Sequence, residues 1–154
     1  YYKFNYFLNK FKKQNNKIEN YKVNFEKLYN DYNQNLKLWS KLSTSFDFKI
    51  HFFLQPLAIW TKKRLSEDED KLFNILDNSN DLAHLMLKET SKIENYIKFS
   101  KLLENLSKEI NINFTDLNIK LNQSKNLDKS LFVDRIHMND LGYKELSNII
   151  LDNI

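Results

Sequence analysis

Hydrophobic positions along the chain switch between two periods. Phe4, Phe7, Leu8 and Phe11 recur at helical spacing and predict a short amphipathic helix, broken at Asn15-Asn16. Tyr21, Phe25, Leu28, Tyr29, Tyr32, Leu36 and Trp39 then form one stripe, which predicts a longer helix with its aromatic side toward a core. The period next drops to two. Phe46, Phe48, Ile50, Phe52 and Leu54 alternate with Asp47, Lys49, His51 and Phe53, predicting a strand over 46–54 in which His51 is structural. Gln55-Pro56 ends it, because proline has no N–H to give a sheet ladder.

Ser66 followed by Glu67, Asp68 and Glu69 has the form of a capping box at a helix start, and its acids suit the positive end of the helix dipole. Leu72, Phe73 and Leu76 face inward, Asp77-Asn78-Ser79-Asn80 interrupts, and Leu82, Leu85 and Met86 resume the helical pattern. Ile93, Tyr96, Ile97, Leu103 and Leu106 continue it, with His84 as a surface or packing histidine. Ile110, Ile112 and Phe114 alternate again, predicting a second strand that ends near Thr115-Asp116. A polar loop from Asn118 to Ser130 leads to Leu131-Phe132-Val133, and a last helix carries Leu146, Ile149, Ile150 and Ile154 on one side. Strands separated by helices pair in parallel, so the expected fold is an α/β/α sandwich with a parallel sheet. There is no internal repeat and no domain boundary, so residues 1–154 read as one domain. Two strands make a thin sheet, and further strands are expected from polypeptide outside this chain.

Composition sharpens this picture. At 42% hydrophobic and 14% aromatic, the 154 residues can bury a core. No apolar run approaches the roughly 20 residues of a membrane helix. The net charge of +4 raises a nucleic-acid possibility, but Lys and Glu are mixed along the helices and arginine is scarce, which is the pattern of solvated faces. Zero cysteine excludes disulfides, zinc–thiolate sites and cysteine nucleophiles. The chain starts at Tyr1 without a Met, which is expected of a fragment or processed chain. No signal peptide is visible, but a missing N-terminus would hide one, so the compartment is left open with the cytoplasm slightly favoured.

The chemistry concentrates in Asp134-Arg135-Ile136-His137-Met138-Asn139-Asp140-Leu141-Gly142. An Asp three residues before a His can accept its Nδ1 proton and leave Nε2 free as a base toward a serine hydroxyl. Asn139 or Asp140 can cap the following helix, and Gly142, the one glycine, permits either close packing or an unusual backbone angle. A metal site through Asp134, His137 and Asp140 would need a further ligand that no nearby cluster offers. Gln55 and Trp60 follow a strand's C-terminal end, the edge where parallel sheets bind ligands, and are candidate substrate contacts; turn and core packing is the alternative for both. Arg135 is expected to be a solvated neighbour of the loop.

This block resembles the last conserved block of the SGNH (GDSL-type) hydrolases, where the Asp and His of the triad share one loop before the C-terminal helix. Ile50-His51-Phe52-Phe53-Leu54-Gln55-Pro56 is similar to a strand of bacterial members ending in Gln-Pro, and Phe114-Thr115-Asp116-Leu117 to the strand before the catalytic loop. The resemblance covers about residues 29–154 and implies a flavodoxin-like three-layer sandwich lacking its N-terminal part. It implies a cofactor-independent serine esterase acting on a small acylated carbohydrate or lipid, with Asp134 and His137 as two triad members. The family's Gly-Asp-Ser, glycine and Gly-x-Asn-Asp blocks, which supply nucleophile and oxyanion hole, are absent from this sequence. The chain is therefore expected to be either the C-terminal part of an esterase, inactive alone, or a catalytically dead binding or scaffold module. A basic helical or RNA-binding module is a further alternative. Oligomeric state is left open.

Overall fold

The computed structural model describes residues 22–78 and 82–154, with side chains from residue 86 onward in the second stretch. The helix expected at Phe4–Phe11, its break, and the surroundings of His84 lie outside the described residues. Helix α1 spans Phe25–Phe46 and starts where Asn24 accepts the Lys27 amide at 2.9 Å. It runs to Phe46 because Asp47 adopts the left-handed conformation (φ 52°), its amide bonding the Ser43 carbonyl, while the Ser43 hydroxyl bonds the Phe48 carbonyl. The strand expected over 46–54 is therefore shorter: β1 is His51–Leu54. Phe46 and Phe48 fit an alternating pattern, yet both are exposed and neither lies on a ladder.

β1 pairs in parallel with β2, Asn113–Asp116, in the register His51 to Asn113 through Leu54 to Asp116. Three helices fill the crossover: α2 (Glu67–Asp77), α3 (Leu82–Thr90) and α4 (Ile93–Ile110). Among the described residues these two strands are the whole sheet. One face is covered by α1 and α4, where Tyr32, Leu36, Ile50, Phe52, Leu106 and Ile112 form a core. On the other face the His51 and Phe53 rings stack at 4.2 Å, and His51 Nε2 lies 2.9 Å from the Thr115 hydroxyl. Burial lowers the His51 pKa, and the ring's contacts lie within the sheet, in keeping with the expected packing role.

After β2 the expected polar loop instead begins with a short helix, α5 (Leu117–Leu121). Asp116 caps it through the Asn118 amide at 2.9 Å, and Leu117 and Leu121 are buried. The short helix escaped periodicity because its three apolar residues, Leu117, Ile119 and Leu121, alternate, and Ile119 is exposed. A second core gathers Ala58, Phe73, Leu121, Leu131, Phe132 and Met138, with Leu146 and Ile149 of α6 (Asp140–Leu151) packed on it. Helix α6 approaches this core through Gly142. A Cβ there would run into the Leu131 carbonyl and lie 2.9 Å from Met138 Cβ. Its φ is not positive, so close packing and not backbone angle demands the glycine.

Glu69 joins these parts. The capping box is present, but its carboxylate is fully buried. Oε2 accepts the Ser66 amide at 2.8 Å and the Lys63 ammonium at 3.0 Å; Oε1 accepts the Leu131 and Phe132 amides at 2.8 and 3.0 Å. Lys63, equally buried, also donates to the carbonyls of Leu127, at 2.7 Å, and Lys129. Burial raises the Glu69 pKa, but the amide and ammonium donors outweigh it and the net shift is downward.

Two outcomes are expected. The stability Glu69 contributes is complete above the unfolded glutamate pKa of about 4.3 and is lost as pH falls through its lower folded value. Urea unfolding at stepped pH should show this loss in the wild type and a flatter acid limb in Glu69→Gln. Gly142→Ala should destabilise by about 1–3 kcal/mol, the usual cost of overpacking, with a matching shift of the urea midpoint.

Candidate active site

The Asp134–His137 segment is a closed loop. Phe132 and Met138 form an antiparallel bridge, with Val133 N donating to His137 O and Asn139 N to Leu131 O, each at 2.9 Å. Asn139 then caps α6 through the Gly142 amide at 2.9 Å and ties the loop to Ser130 through its side-chain amide at 2.9 Å. The five residues between the bridge positions project from the second core.

Within them Asp134 uses both oxygens. Oδ1 accepts the amides of Ile136 and His137, each at 2.7 Å, and Oδ2 lies 2.7 Å from His137 Nδ1. Partial burial raises the Asp134 pKa, but the His137 amide, the His137 ring and the Ile136 amide lower it further, and the net shift is downward. An ionised carboxylate offers only lone pairs, so the bond to Nδ1 requires the proton on that nitrogen. A ring with one proton, placed there, has its lone pair on Nε2. Nε2 has no hydrogen-bond partner among the described residues, and the His137 side chain is 62% exposed against 30% for Asp134. Asp134 and His137 are thus in hydrogen-bond contact across three residues, with the imidazole edge opposite Asp134 open.

The loop is held from three directions. Arg135 is not a solvated neighbour: its Nε donates to Asp77 Oδ1 at 2.7 Å, its Nη2 to Asp77 Oδ2, and its guanidinium lies 5.4 Å from the Phe73 ring centre. A bidentate carboxylate at the end of α2 outcompetes water for it. Gln55 donates its side-chain amide to Ile136 O at 3.1 Å, and Ala58 N donates to Arg135 O at 3.0 Å. Gln55 thus stands beside the loop and grips its backbone. Trp60 is placed elsewhere. Its indole N–H bonds Ser91 O at 2.7 Å, its ring stacks on Tyr96 at 4.9 Å, and it lines a cavity of about 490 Å³ with Phe25, Leu57 and Phe99. None of the described contacts joins it to Asp134 or His137.

Two polar residues that matter here carried no sequence prediction as site residues. Asn118 is fully buried, accepting Leu57 N at 3.0 Å and donating to Gln55 O at 3.3 Å and Asp116 Oδ1 at 2.9 Å. Asp116 Oδ2 accepts the Tyr96 and Ser100 hydroxyls at 2.8 and 2.6 Å, and burial followed by the Asp116 carboxylate pushes the Tyr96 pKa upward. This network pins the segment after β1 from which Gln55 reaches the loop. In the sequence Asp116 marks only the expected end of the second strand.

Among the described residues no serine hydroxyl is hydrogen-bonded to His137, and no group of three His, Asp or Glu side chains is arranged to hold a metal ion. Replacing Asp134 by Ala should release three donors at once. Amide exchange at Ile136 and His137 should then rise by about tenfold or more by NMR, while the β1 and β2 amides keep their protection. No protein-family model matches the chain, and no curated protein matches it.

Proposed function

We propose that this chain supplies the general base and its orienting acid to a serine-dependent ester hydrolase of the SGNH type, built as a three-layer α/β/α sandwich. The observation that carries this is the 2.7 Å contact between Asp134 Oδ2 and His137 Nδ1 with Nε2 left open. Supporting it, Gln55, the residue directly after β1, holds the dyad loop at the C-terminal end of a parallel strand, where such sheets place their sites. The third layer would be α6, whose Tyr143 and Leu146 share a cleft with Phe53 on the sheet face opposite α1 and α4.

In this mechanism His137 Nε2 removes the proton of a serine hydroxyl as the oxygen attacks the ester carbonyl. The imidazolium, stabilised by Asp134, then protonates the departing alcohol. Water repeats the cycle on the acyl-serine and regenerates it. The serine and the oxyanion donors belong to polypeptide other than the described residues. The small acylated carbohydrate or lipid substrate rests on the family resemblance.

The charge pattern is that of solvated helix faces rather than a single-sign nucleic-acid face. Lys27, Lys71, Lys92, Lys101 and Lys108 are each paired with an acid three or four residues away. No helix among the described residues is long and apolar enough to cross a membrane. A non-catalytic binding module is the second reading, favoured by the absence of a serine at His137 among the described residues.

The test is the coding sequence upstream of Tyr1, expressed together with this chain. We expect in-frame Gly-Asp-Ser and Gly-x-Asn-Asp blocks, and p-nitrophenyl acetate hydrolysis that His137→Ala lowers by about 10⁴-fold or more. The 154-residue chain alone should show none. Hydrolysis indifferent to His137 would refute the catalytic assignment. An upstream frame without those blocks would favour the binding module.

A further inference from the structure

We propose that Glu69 is a positioning residue for the Asp134–His137 pair, holding the dyad loop at its base from inside the core; this rests on the catalytic reading of that pair. The two carboxylate oxygens divide their work. Oε2 meets the needs of its own helix, accepting the Ser66 amide at 2.8 Å and the Lys63 ammonium at 3.0 Å. Oε1 is given to the loop, accepting Leu131 N at 2.8 Å and Phe132 N at 3.0 Å. A capping box needs only the bond to the Ser66 amide, and a glutamate is almost never fully buried unless paired. Here the side chain is completely buried with its counter-ion, a placement with a large desolvation cost that is sustained only by full satisfaction.

What the second oxygen achieves is geometric. Two successive amides converging on one acceptor fix the direction of the backbone at 131–132, two residues before Asp134. The return half of the loop is registered on this half through the Phe132–Met138 bridge and the bond from Asn139 N to Leu131 O. Eight residues further along α2, or about 12 Å at 1.5 Å per residue, Asp77 takes Arg135 at the loop's tip. Helix α2 thus acts as a splint gripping the loop at base and tip, and Glu69 is its buried end. A loop carrying a base and its acid needs such support, since small displacements of a catalytic group are costly in rate.

The experiment uses the full 154-residue chain and needs no substrate. In the wild type, NMR should show Leu131 and Phe132 amides exchanging only through global unfolding, and a strongly deshielded Nδ1 proton on His137. Two charge-balanced double variants avoid stranding Lys63. Lys63→Met with Glu69→Gln keeps a carbonyl oxygen for the two amides and should retain the deshielded proton. Lys63→Met with Glu69→Leu removes the acceptor. It should speed exchange at Leu131 and Phe132 by about tenfold or more relative to the other double, and lose the Nδ1 signal, with β1 and β2 protection retained. An unchanged Nδ1 proton in the Leu variant overturns the positioning role and leaves the hydrolase reading standing. Its absence in the wild type overturns the dyad itself and both proposals with it. Should the Leu variant not fold, the wild-type chain decides: fast exchange at Leu131 and Phe132 refutes the role, and exchange at the global rate supports it.

Discussion

A carboxylate with no access to water organises this protein. Glu69 gathers the start of α2, the segment through Lys63 and the chain at 131–132 around one charged group. Placing that charge in the core costs several kcal/mol, and removing a partner from such a group is worse, because the remaining charge is left uncompensated. Every direction around Glu69 is accordingly supplied with a donor, and Lys63 is in turn satisfied by two backbone carbonyls. Apolar residues could pack the same space, but they would not specify the backbone path at Leu131 and Phe132 through two converging amides.

The remaining site features follow from that fixed path. Because Leu131 is held, its carbonyl is available to Asn139 N, and α6 can approach closely enough that only a glycine fits at position 142. Because the bridge at Phe132 and Met138 closes the loop, Asp134 and His137 are brought within one turn of each other. Asp134 then satisfies two loop amides as well as the imidazole. The same contacts that hold the loop together set His137 Nδ1 against Asp134. The charge network in the core is thereby connected, through about five residues of backbone, to the exposed His137 ring.

Much of this was legible in the sequence wherever the signal is local. The Ser66 capping box, the Asn139 cap, the end of the second strand near Asp116, the parallel pairing and the Asp134–His137 contact all depend on spacing over a few residues or on connection length. The expected start of that strand at Ile110 is the last residue of α4, and the strand begins at Asn113. Features decided by distant partners were not legible. Phe46 and Phe48 fit period two, yet a left-handed Asp47 ends a helix there, because the ladder partner of β1 begins opposite His51. Arg135 reads as solvated until Asp77, 58 positions earlier, is seen beside it. Glu69 is recognisable as a cap residue, but nothing within a turn of it announces that Leu131 and Phe132 will share its other oxygen. Asn118 sits in a polar run and is buried only because Gln55, Leu57 and Asp116 converge on it.

The central claim is that Asp134 Oδ2 accepts the Nδ1 proton of His137 and leaves Nε2 without a partner among the described residues. Neutron diffraction from a deuterated crystal grown at alkaline pH tests it by locating the hydrogen isotope itself. The account predicts deuterium on Nδ1 between the ring and Asp134 Oδ2, with Nε2 bare and facing solvent. Deuterium on Nε2, or a ring turned away from Asp134, would contradict it.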